Sequence, residues 1–531
     1  MLSLNLHNLK NYRDEILKAE IGALLFNLGK THIGFWKEKN GNKYFNVDEQ
    51  LFEQKYGYKV FSGYKGYYED KNNQPSPFKT DLDKFINLRD FILSQNQKVK
   101  FPFKAKLNNQ QELEEIDWQE FFKGDSSKED LIKKIFFRGC ENINSGIDKG
   151  NPKEQLKSHL WLSNAFGSFK HKIKEEDFDD ARMEFFRDLD CFLKRNDYYT
   201  NPNWQEIREF IFERVKPWYS KLLSDSRYPV NDVSLWDQAY MTASMFKAVL
   251  SNLVLDNSKL QNYQKNPSSI KWRIFGIQYD KLGLAEKGFK PAHIDWYRNI
   301  SKEIDDEIKK LLELKYPIGN EVYRDETGIY FIVGEDLGDD KGNLAILKDD
   351  LKEIKEEILQ IFKEKSLDEF YPAIFLTKAS RGLMNLTYLL ENARENFLKA
   401  DWSRKELVIY PENSESRGAR GICQICKQRL VFESDKRDEN KNVCEICYEE
   451  KTKGRVNKWL KDRGGETIWT AELKDKNDRL ALVVMKFELM DWLNGDLLSS
   501  VLIRKEDFFT ENSVIMSLNS VIMSLINKYK E

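Results

Sequence analysis

Residues 319–334 are GNEVYRDETGIYFIVG, two short apolar runs on either side of the turn-forming residues 325–327. Runs of β-branched and aromatic residues around such a turn predict a β-hairpin. An earlier apolar run, IKWRIFGIQYD at 270–280, predicts a buried strand, and YPAIFLTKA at 371–379 predicts a further one. We therefore expect the hairpin to lie in a sheet with both of these strands.

Helical patterns separate the predicted strands. Residues 294–314 and 349–366 carry apolar side chains at three- and four-residue spacing, which predicts two amphipathic helices. The order strand, helix, hairpin, helix, strand is that of a ferredoxin-like unit, in which a helical layer covers one face of an antiparallel sheet. The sequence therefore predicts an α+β fold, with a linking helix at 381–400.

The residues before this unit predict a mostly helical region. An apolar helix is predicted at 12–30, further helical periodicity runs from 127 to 223, and VSLWDQAYMTASMFKAVLSNLVL at 233–255 predicts another helix. The stretch from about 40 to 110 is polar and weakly periodic, which indicates loops and short elements. We expect residues 1–260 to form one helical domain.

Four of the six cysteines form two CxxC pairs, Cys423/Cys426 and Cys444/Cys447, separated by 17 residues. This spacing is typical of four-cysteine zinc sites. Four thiolates complete the tetrahedral shell of Zn²⁺ and leave no position for water, so the predicted role is structural. A redox role is the alternative, although it requires only one pair. Cys140 and Cys191 lie in apolar helical patterns, which predicts core thiols.

Composition limits the remaining function classes. The 531 residues include 85 basic and 87 acidic side chains, so nucleic-acid binding would depend on local patches instead of net charge. The N-terminus lacks the apolar segment of a signal peptide, and no stretch approaches the roughly 20 apolar residues of a membrane helix. Only six cysteines occur, and the two CxxC pairs among them indicate a metal site instead of disulfides, which favours the cytoplasm.

Two stretches resemble the metal-binding helices of HD-type phosphohydrolases. In AEIGALLFNLGK, residues 19–30, Phe26 and Asn27 stand where that family has a His-Asp pair. In the later helix Asp237 is kept, but Gln238 stands where a histidine is expected. A dinuclear hydrolytic site needs several imidazoles and carboxylates, so hydrolysis is not expected here. The alternative is that 19–30 is an ordinary core helix ending at a glycine.

The degenerate HD-like helices, the ferredoxin-like palm, the cysteine pairs and the start of a second palm follow in this order. That order resembles the large subunit of type III CRISPR effector complexes, closest to the relatives labelled Csx-eleven. The fold class is then α+β multidomain: a degenerate helical HD-like domain (1–260), a ferredoxin-like first palm with linking helix (261–400), a zinc-ribbon domain (401–467) and a truncated second palm with helical tail (468–531).

The resemblance implies guide RNA, target RNA and the backbone and small subunits of such complexes as partners, and no membrane. Active members of the family cleave DNA with the HD domain and make cyclic oligoadenylate from ATP with paired palms. This chain lacks the cyclase signature Gly-Gly-Asp-Asp, and the second palm's hairpin would lie beyond residue 531. The resemblance thus implies a scaffold and RNA-sensing subunit instead of an enzyme.

Three carboxylates keep a catalytic alternative open. Nucleotidyl-transfer palms hold two Mg²⁺ ions on a triphosphate with carboxylates at the end of the first strand and at the central hairpin. The corresponding residues are Asp280, Asp325 and Glu326. They would let this palm bind ATP with Mg²⁺ and act as a nucleotidyltransferase that makes cyclic oligoadenylate. Aspartates also favour turns for local hydrogen bonds, which is the alternative explanation.

Basic residues flank the cysteine pairs and predict contacts with RNA phosphates. A solvated helix face is the alternative, because 32% of the chain is charged. A third hypothesis for the whole chain is a zinc-ribbon nucleic-acid-binding protein outside CRISPR. The candidate phosphate-binding residues are Arg417, Arg420, Lys451, Lys453, Arg455, Lys458, Lys461 and Arg463.

Overall fold

The computed structural model describes residues 6–39, 42–60, 67, 76–94, 98–107, 110–122, 131–147, 160–164, 169–225, 230–287, 291–395, 419–432 and 442–448. Residues 1–442 form one compact unit and 443–531 a second. The predicted second palm, 468–531, lies outside the described residues, as does most of the 401–467 segment apart from its cysteines.

Helices dominate the first 270 residues. A 3₁₀ turn, Phe26–Thr31, continues the second helix, and a π-helical turn, Ile135–Glu141, joins the seventh to the eighth. The helices are α1 Leu6–Asn11, α2 Arg13–Leu25, α3 Ile33–Lys37, α4 Glu49–Tyr56, α5 Pro77–Leu82, α6 Ile86–Leu93, α7 Leu131–Lys134, α8 Asn142–Ile147, α9 Asp179–Arg195, α10 Trp204–Tyr219, α11 Leu235–Leu255 and α12 Leu260–Lys265. The predicted helices at 12–30 and 233–255 are α2 and α11.

Short strands interrupt this helical region. They are β1 Glu38–Lys39, β2 Asn42–Lys43, β3 Lys98–Leu107, β4 Gln110–Asp117, β5 Trp161–Ser163, β6 Lys170–Lys172 and β7 Val230–Asn231. The β3–β4 hairpin is the longest of them. In KVKFPFKAKL, residues 98–107, lysine alternates with apolar residues on both sides of Pro102, a period of two that favours a strand.

A six-stranded antiparallel sheet follows, in the order β11-β12-β13-β8-β10-β9. Its strands are β8 Trp272–Gln278, β9 Gly319–Asp325, β10 Gly328–Gly334, β11 Gly338–Lys341, β12 Leu344–Leu347 and β13 Ala373–Thr377. The four strands β13-β8-β10-β9 have the order of a ferredoxin-like unit, so this prediction is confirmed. The β11–β12 hairpin was not predicted, and it extends the sheet beyond β13.

Helices cover both faces of the sheet. They are α13 Lys281–Glu286, α14 Pro291–Lys310, α15 Lys352–Lys365 and α16 Leu383–Arg394. The indole of Trp272 donates to the Met245 carbonyl on α11 at 2.9 Å, whereas the Tyr279 hydroxyl donates to Asp305 on α14 at 2.8 Å. Trp272 and Tyr279 are seven positions apart and therefore project from opposite faces. The helical region thus packs against the face opposite α14.

A buried polar network joins the helical region to the sheet. The Lys247 ammonium of α11 lies 2.9 Å from the Glu20 carboxylate of α2 and donates to the Asn320 side chain of β9 at 2.8 Å. Arg208 of α10 contacts Glu20 at 2.7 Å and Glu313, just after α14, at 2.9 Å. Two cations and two carboxylates therefore balance in a site that water does not reach. This network fixes three helices to the edge strand β9.

The remaining described elements belong to the cysteine segment. They are β14 Ala419–Ile422, β15 Leu430–Phe432 and the short helix α17 Glu445–Tyr448. In the part of the chain that the structure describes, no helix combines the length and the apolar character needed to cross a bilayer.

Candidate functional site

The sulfur atoms of Cys423, Cys426, Cys444 and Cys447 all lie within 4.8 Å of one another, and all four cysteines are buried. A tetrahedral Zn²⁺ with bonds of about 2.3 Å would hold its sulfurs about 3.8 Å apart, so the arrangement fits the ion. Among the described residues, this is the one group of three or more His, Cys, Asp or Glu side chains close enough to hold a metal. The arrangement of the four cysteines is therefore consistent with the predicted zinc ribbon.

The first cysteine pair lies in a tight turn between β14 and β15. The Ile425 N–H points at the Cys423 sulfur at 3.4 Å, and the Lys427 N–H donates to the Cys423 carbonyl at 3.0 Å. Lys427 has a positive φ of 56°, which closes the turn. The Gln424 N–H donates to the Asn442 carbonyl at 2.8 Å, next to the second cysteine pair in sequence. Backbone hydrogen bonds thus shape the turn around the thiolates.

The two remaining cysteines differ from each other. Cys140 is fully buried in the π-helical turn, and burial raises the pKa of its thiol. Cys191 is exposed on α9, so its assignment to the core is wrong. Its apolar neighbours Leu189 and Leu193 are buried on the other side of α9. An apolar residue close in sequence to buried residues can therefore still face the solvent.

The degenerate HD-like positions lie in the interior of the helical region. The Phe26 ring packs edge-on against Phe136 and Phe137, with centroids 5.3 and 5.1 Å away, and Asn27 is buried beside it. The Lys30 ammonium donates to the Gln238 side chain of α11 and to the Ser224 carbonyl at 2.8 Å. The two stretches that resemble HD helices are therefore neighbours in space.

Asp237, the one carboxylate that this resemblance retains, caps its own helix. Its carboxylate accepts from the Ser234 N–H at 2.9 Å, and its N–H donates to the Ser234 hydroxyl at 3.2 Å. This reciprocal pair is a capping box, which satisfies two donors at the start of α11. The loss of hydrolytic activity stays a prediction, and Asp237 has a local structural role.

The three candidate carboxylates lie at one end of the sheet, and those of Asp280 and Asp325 are hydrogen-bonded to neighbouring groups. The Asp280 carboxylate accepts from the Gly283 N–H at 2.8 Å and caps α13. Asp325 accepts from the Thr327 hydroxyl at 2.6 Å and from Arg394 at 2.6 Å. Although burial raises the pKa of Asp325, these hydrogen bonds and the Arg394 charge lower it below its usual value.

The Lys281 side chain lies at the same end of the sheet, between α14 and the β9–β10 turn. Its ammonium lies 2.6 Å from the Asp305 carboxylate and donates to the carbonyls of Asp325 at 2.8 Å and Gly328 at 3.1 Å. The Glu326 carbonyl accepts from the Lys281 N–H at 3.1 Å. The lysine therefore holds the turn of the β9–β10 hairpin against α14. Catalysis by Asp280, Asp325 and Glu326 stays a hypothesis.

The predicted phosphate-binding residues fall almost entirely outside the described part of the chain. Only Arg420 lies within it, on β14, between the start of the cysteine segment and Cys423. Contacts of these basic residues with RNA remain a prediction.

Sequence reasoning missed the buried network around Glu20 and Lys247. Both residues are single charges within long apolar stretches, AEIGALL and SMFKAVLSNLVL. Charged side chains are almost never fully buried without a partner, so such an isolated charge is a usable signal. It predicts that a partner exists, but the sequence offers no way to select Arg208 or Glu313.

No protein-family model matches the chain, and no curated protein matches it. Among solved structures, it is similar to a Csm1–Csm4 cassette in complex with pppApA, with 12% identity and a TM-score of 0.38 over 73% of this chain and 50% of that chain. It is similar to Csm1 in T. onnurineus, with 13% identity and a TM-score of 0.35 over 77% and 52% of the two chains. It is also similar to a Csm1–Csm4 cassette in complex with cA3, with 13% identity and a TM-score of 0.36 over 73% and 48%. The chain thus spans about half the length of these structures.

Proposed function

We propose that the chain is a large scaffold and RNA-sensing subunit of a type III-like CRISPR effector, of the Csx-eleven type. In this role it binds a guide RNA and the complementary target RNA, together with backbone and small subunits. Its four cysteines hold a structural Zn²⁺. We propose four domains: a degenerate helical HD-like domain (1–260), a first palm with its linking helix (261–400), a zinc ribbon (401–467) and the start of a second palm (468–531).

The observation that favours a scaffold over a catalytic role is the ion pair between Asp325 and Arg394, 2.6 Å apart. A palm that transfers nucleotides needs free carboxylates at this position to hold Mg²⁺. Here the carboxylate is already neutralised, and Lys281 places a further positive charge beside the hairpin. A palm arranged in this way supports a binding and scaffolding role, because cation binding at the Asp325 carboxylate would first require its contact with Arg394 to break.

The buried network between Lys247, Glu20 and Asn320 adds support for a scaffold. It joins the helical region to the palm within one compact unit. Breaking such a network exposes an unpaired charge to the protein interior, which is costly. A platform that holds RNA and neighbouring subunits at fixed positions benefits from this rigidity.

Co-purification tests the proposal. The chain is expressed with its neighbouring genes and recovered through a tag, and the RNA that accompanies it is sequenced. We expect a discrete set of small RNAs that share a repeat-derived end. Recovery of soluble, zinc-loaded protein without RNA or partners would refute the subunit assignment and favour a zinc-ribbon protein outside CRISPR.

Charge-reversal variants locate the RNA contact. Lys458→Glu, Lys461→Glu and Arg463→Glu together are expected to reduce RNA recovery. The matched control reverses three exposed lysines on and just after β6, Lys170, Lys172 and Lys174. Equal losses in both variants would indicate a general electrostatic effect.

A further inference from the structure

We propose that Arg429 and Glu369 position the first CxxC turn, so that the ferredoxin-like unit contributes to the metal affinity of the ribbon. This inference rests on the proposed zinc centre and concerns the residues that hold it in place. Neither residue is a metal ligand, and the two are 60 positions apart in sequence. Both belong to the compact unit of residues 1–442.

The guanidinium of Arg429 is buried in a turn of the ferredoxin-like unit. It donates to the Glu369 carboxylate and to the Leu367 carbonyl. The side chains of Arg429 and Glu369 are only 4% and 1% exposed. A buried charge without its partner is strongly unfavourable, so the two residues hold each other in position.

Residues of the ferredoxin-like unit also hold Glu369 in position. Its second carboxylate oxygen accepts from the Tyr297 hydroxyl of α14 at 2.8 Å. Its N–H donates to the Ser366 hydroxyl at 3.1 Å. Leu367 and Asp368 both have positive φ, 55° and 65°, a conformation uncommon for residues other than glycine. This turn presents the Leu367 carbonyl to Arg429.

The backbone of Arg429 connects this anchor to the thiolates. Its carbonyl accepts from the Cys423 N–H at 2.8 Å, which closes the turn that contains Cys423 and Cys426. The neighbouring Gln428 side chain donates to the Glu369 carbonyl at 3.4 Å. Any displacement of Arg429 therefore moves the backbone of the first cysteine. Partners that orient metal ligands typically change metal affinity 10- to 100-fold when removed.

The test measures Zn²⁺ affinity of the full chain by competition with a chromogenic chelator. Glu369→Gln and Arg429→Met are expected to weaken Zn²⁺ binding about 10- to 100-fold. Arg429→Lys keeps the charge and is expected to restore part of the affinity. The matched control is Asp305→Asn, which removes the partner of another buried cation, Lys281, at the sheet end. This control is expected to bind Zn²⁺ as the parent chain does.

Tyr297→Phe provides a milder variant if the buried-charge variants fail to fold. It removes one hydrogen bond to Glu369 and is expected to weaken Zn²⁺ binding about 2- to 10-fold. Co²⁺ substitution gives a second readout, because the thiolate-to-Co²⁺ absorption reports the geometry of the sulfur shell. We expect this absorption to change in Glu369→Gln and to stay unchanged in Asp305→Asn.

The outcomes separate this inference from the zinc centre itself. Parent-like Zn²⁺ affinity in Glu369→Gln and Tyr297→Phe would overturn the positioning role while leaving the zinc centre intact. Equal weakening in Asp305→Asn would also overturn it, because the effect would then be general destabilisation. A parent chain that binds no Zn²⁺, or a Cys426→Ser variant with parent-like affinity, would refute the zinc centre as well.

Discussion

Arg394 and Asp325 form an ion pair of 2.6 Å across the end of the sheet, and the same guanidinium lies over the Tyr323 ring, 5.9 Å from its centroid. The C-terminal end of α16 is thereby tied to the turn of the central hairpin. This contact pairs the Asp325 carboxylate with a permanent positive charge, whereas a nucleotidyl-transfer site would need that carboxylate free to bind a divalent cation.

ATP turnover tests that consequence. We expect the purified chain to show no Mg²⁺-dependent conversion of ATP, and Asp280→Asn and Asp325→Asn to leave the background rate unchanged. The measurement is chromatographic separation of labelled nucleotide products. Conversion by the parent chain that is lost in both variants would contradict the scaffold assignment and favour the nucleotidyltransferase alternative.

Metal content tests the cysteine cluster. The purified chain is expected to contain one Zn²⁺, measured by mass spectrometry of the metal, because four thiolates close a single tetrahedral shell. Cys426→Ser and Cys447→Ser are each expected to lose most of it. Cys191→Ser is the matched control, since Cys191 is exposed and outside the cluster. Zinc loss in the control alone would contradict the assignment.

Lys247→Met tests the network between the helical region and the sheet. Removal of the ammonium leaves Glu20 buried beside Arg208 with fewer donors, and the free energy of unfolding is expected to fall by about 3–5 kcal/mol. Urea denaturation measures it. Lys352→Met, which removes an ion pair whose lysine is 74% exposed, should cost less than about 1 kcal/mol. Equal losses of unfolding free energy in the two variants would show that the buried network stabilises the fold no more than an exposed ion pair does.

The same network predicts an acid-dependent stability. Burial alone would raise the pKa of Glu313, but Arg208, Lys309 and Lys247 outweigh it and lower the pKa to about 2. The folded state therefore favours the carboxylate, and this stabilisation is present above about pH 4.5 and is lost as the pH falls towards about 2. It amounts to about 3 kcal/mol.

Comparison of acid unfolding curves checks this contribution. Glu313→Gln should reduce the loss of stability between about pH 4.5 and 2, whereas Glu356→Gln, an exposed carboxylate on α15, should not. A parent-like pH dependence in Glu313→Gln would show that another group carries the effect.

Thiol labelling tests the two lone cysteines. In the native chain, iodoacetamide is expected to modify Cys191 quickly and Cys140 only after denaturation. Cys140 is buried, and its raised thiol pKa disfavours the reactive thiolate. Peptide mass spectrometry gives the extent of labelling at each site. Rapid native labelling of Cys140 would indicate that the π-helical turn opens readily.

The ferredoxin-like unit could be predicted because its strands and helices have distinct periods. Residues 319–334 gave both strands of the hairpin, and the turn at 325–327 follows directly from the residue types. The β11–β12 hairpin could not be recognised, because its first strand, Gly338–Lys341, is mostly charged and lies at the outer edge of the sheet. Edge strands need no continuous apolar face, so periodicity carries little signal there.

The cysteine cluster could be predicted from spacing alone, since each CxxC pair fixes its own local geometry. The contacts of Asp325 and Glu369 could not, because their partners Arg394 and Arg429 are distant in sequence. Charged residues make up 32% of the chain, so neither arginine stands out in the sequence. Only the folded chain shows that both arginines neutralise carboxylates of the ferredoxin-like unit.

The edges of the six-stranded sheet limit how this chain can associate with others. At one edge, the β9 backbone N–H of Glu321 is already bonded to the Glu313 carboxylate at 2.9 Å. At the other, β11 presents the exposed charged residues Asp339, Asp340 and Lys341. Both arrangements disfavour the addition of a foreign strand. These two edges are therefore poor templates for pairing with a strand of another protein, which lowers the risk that this sheet seeds aggregation.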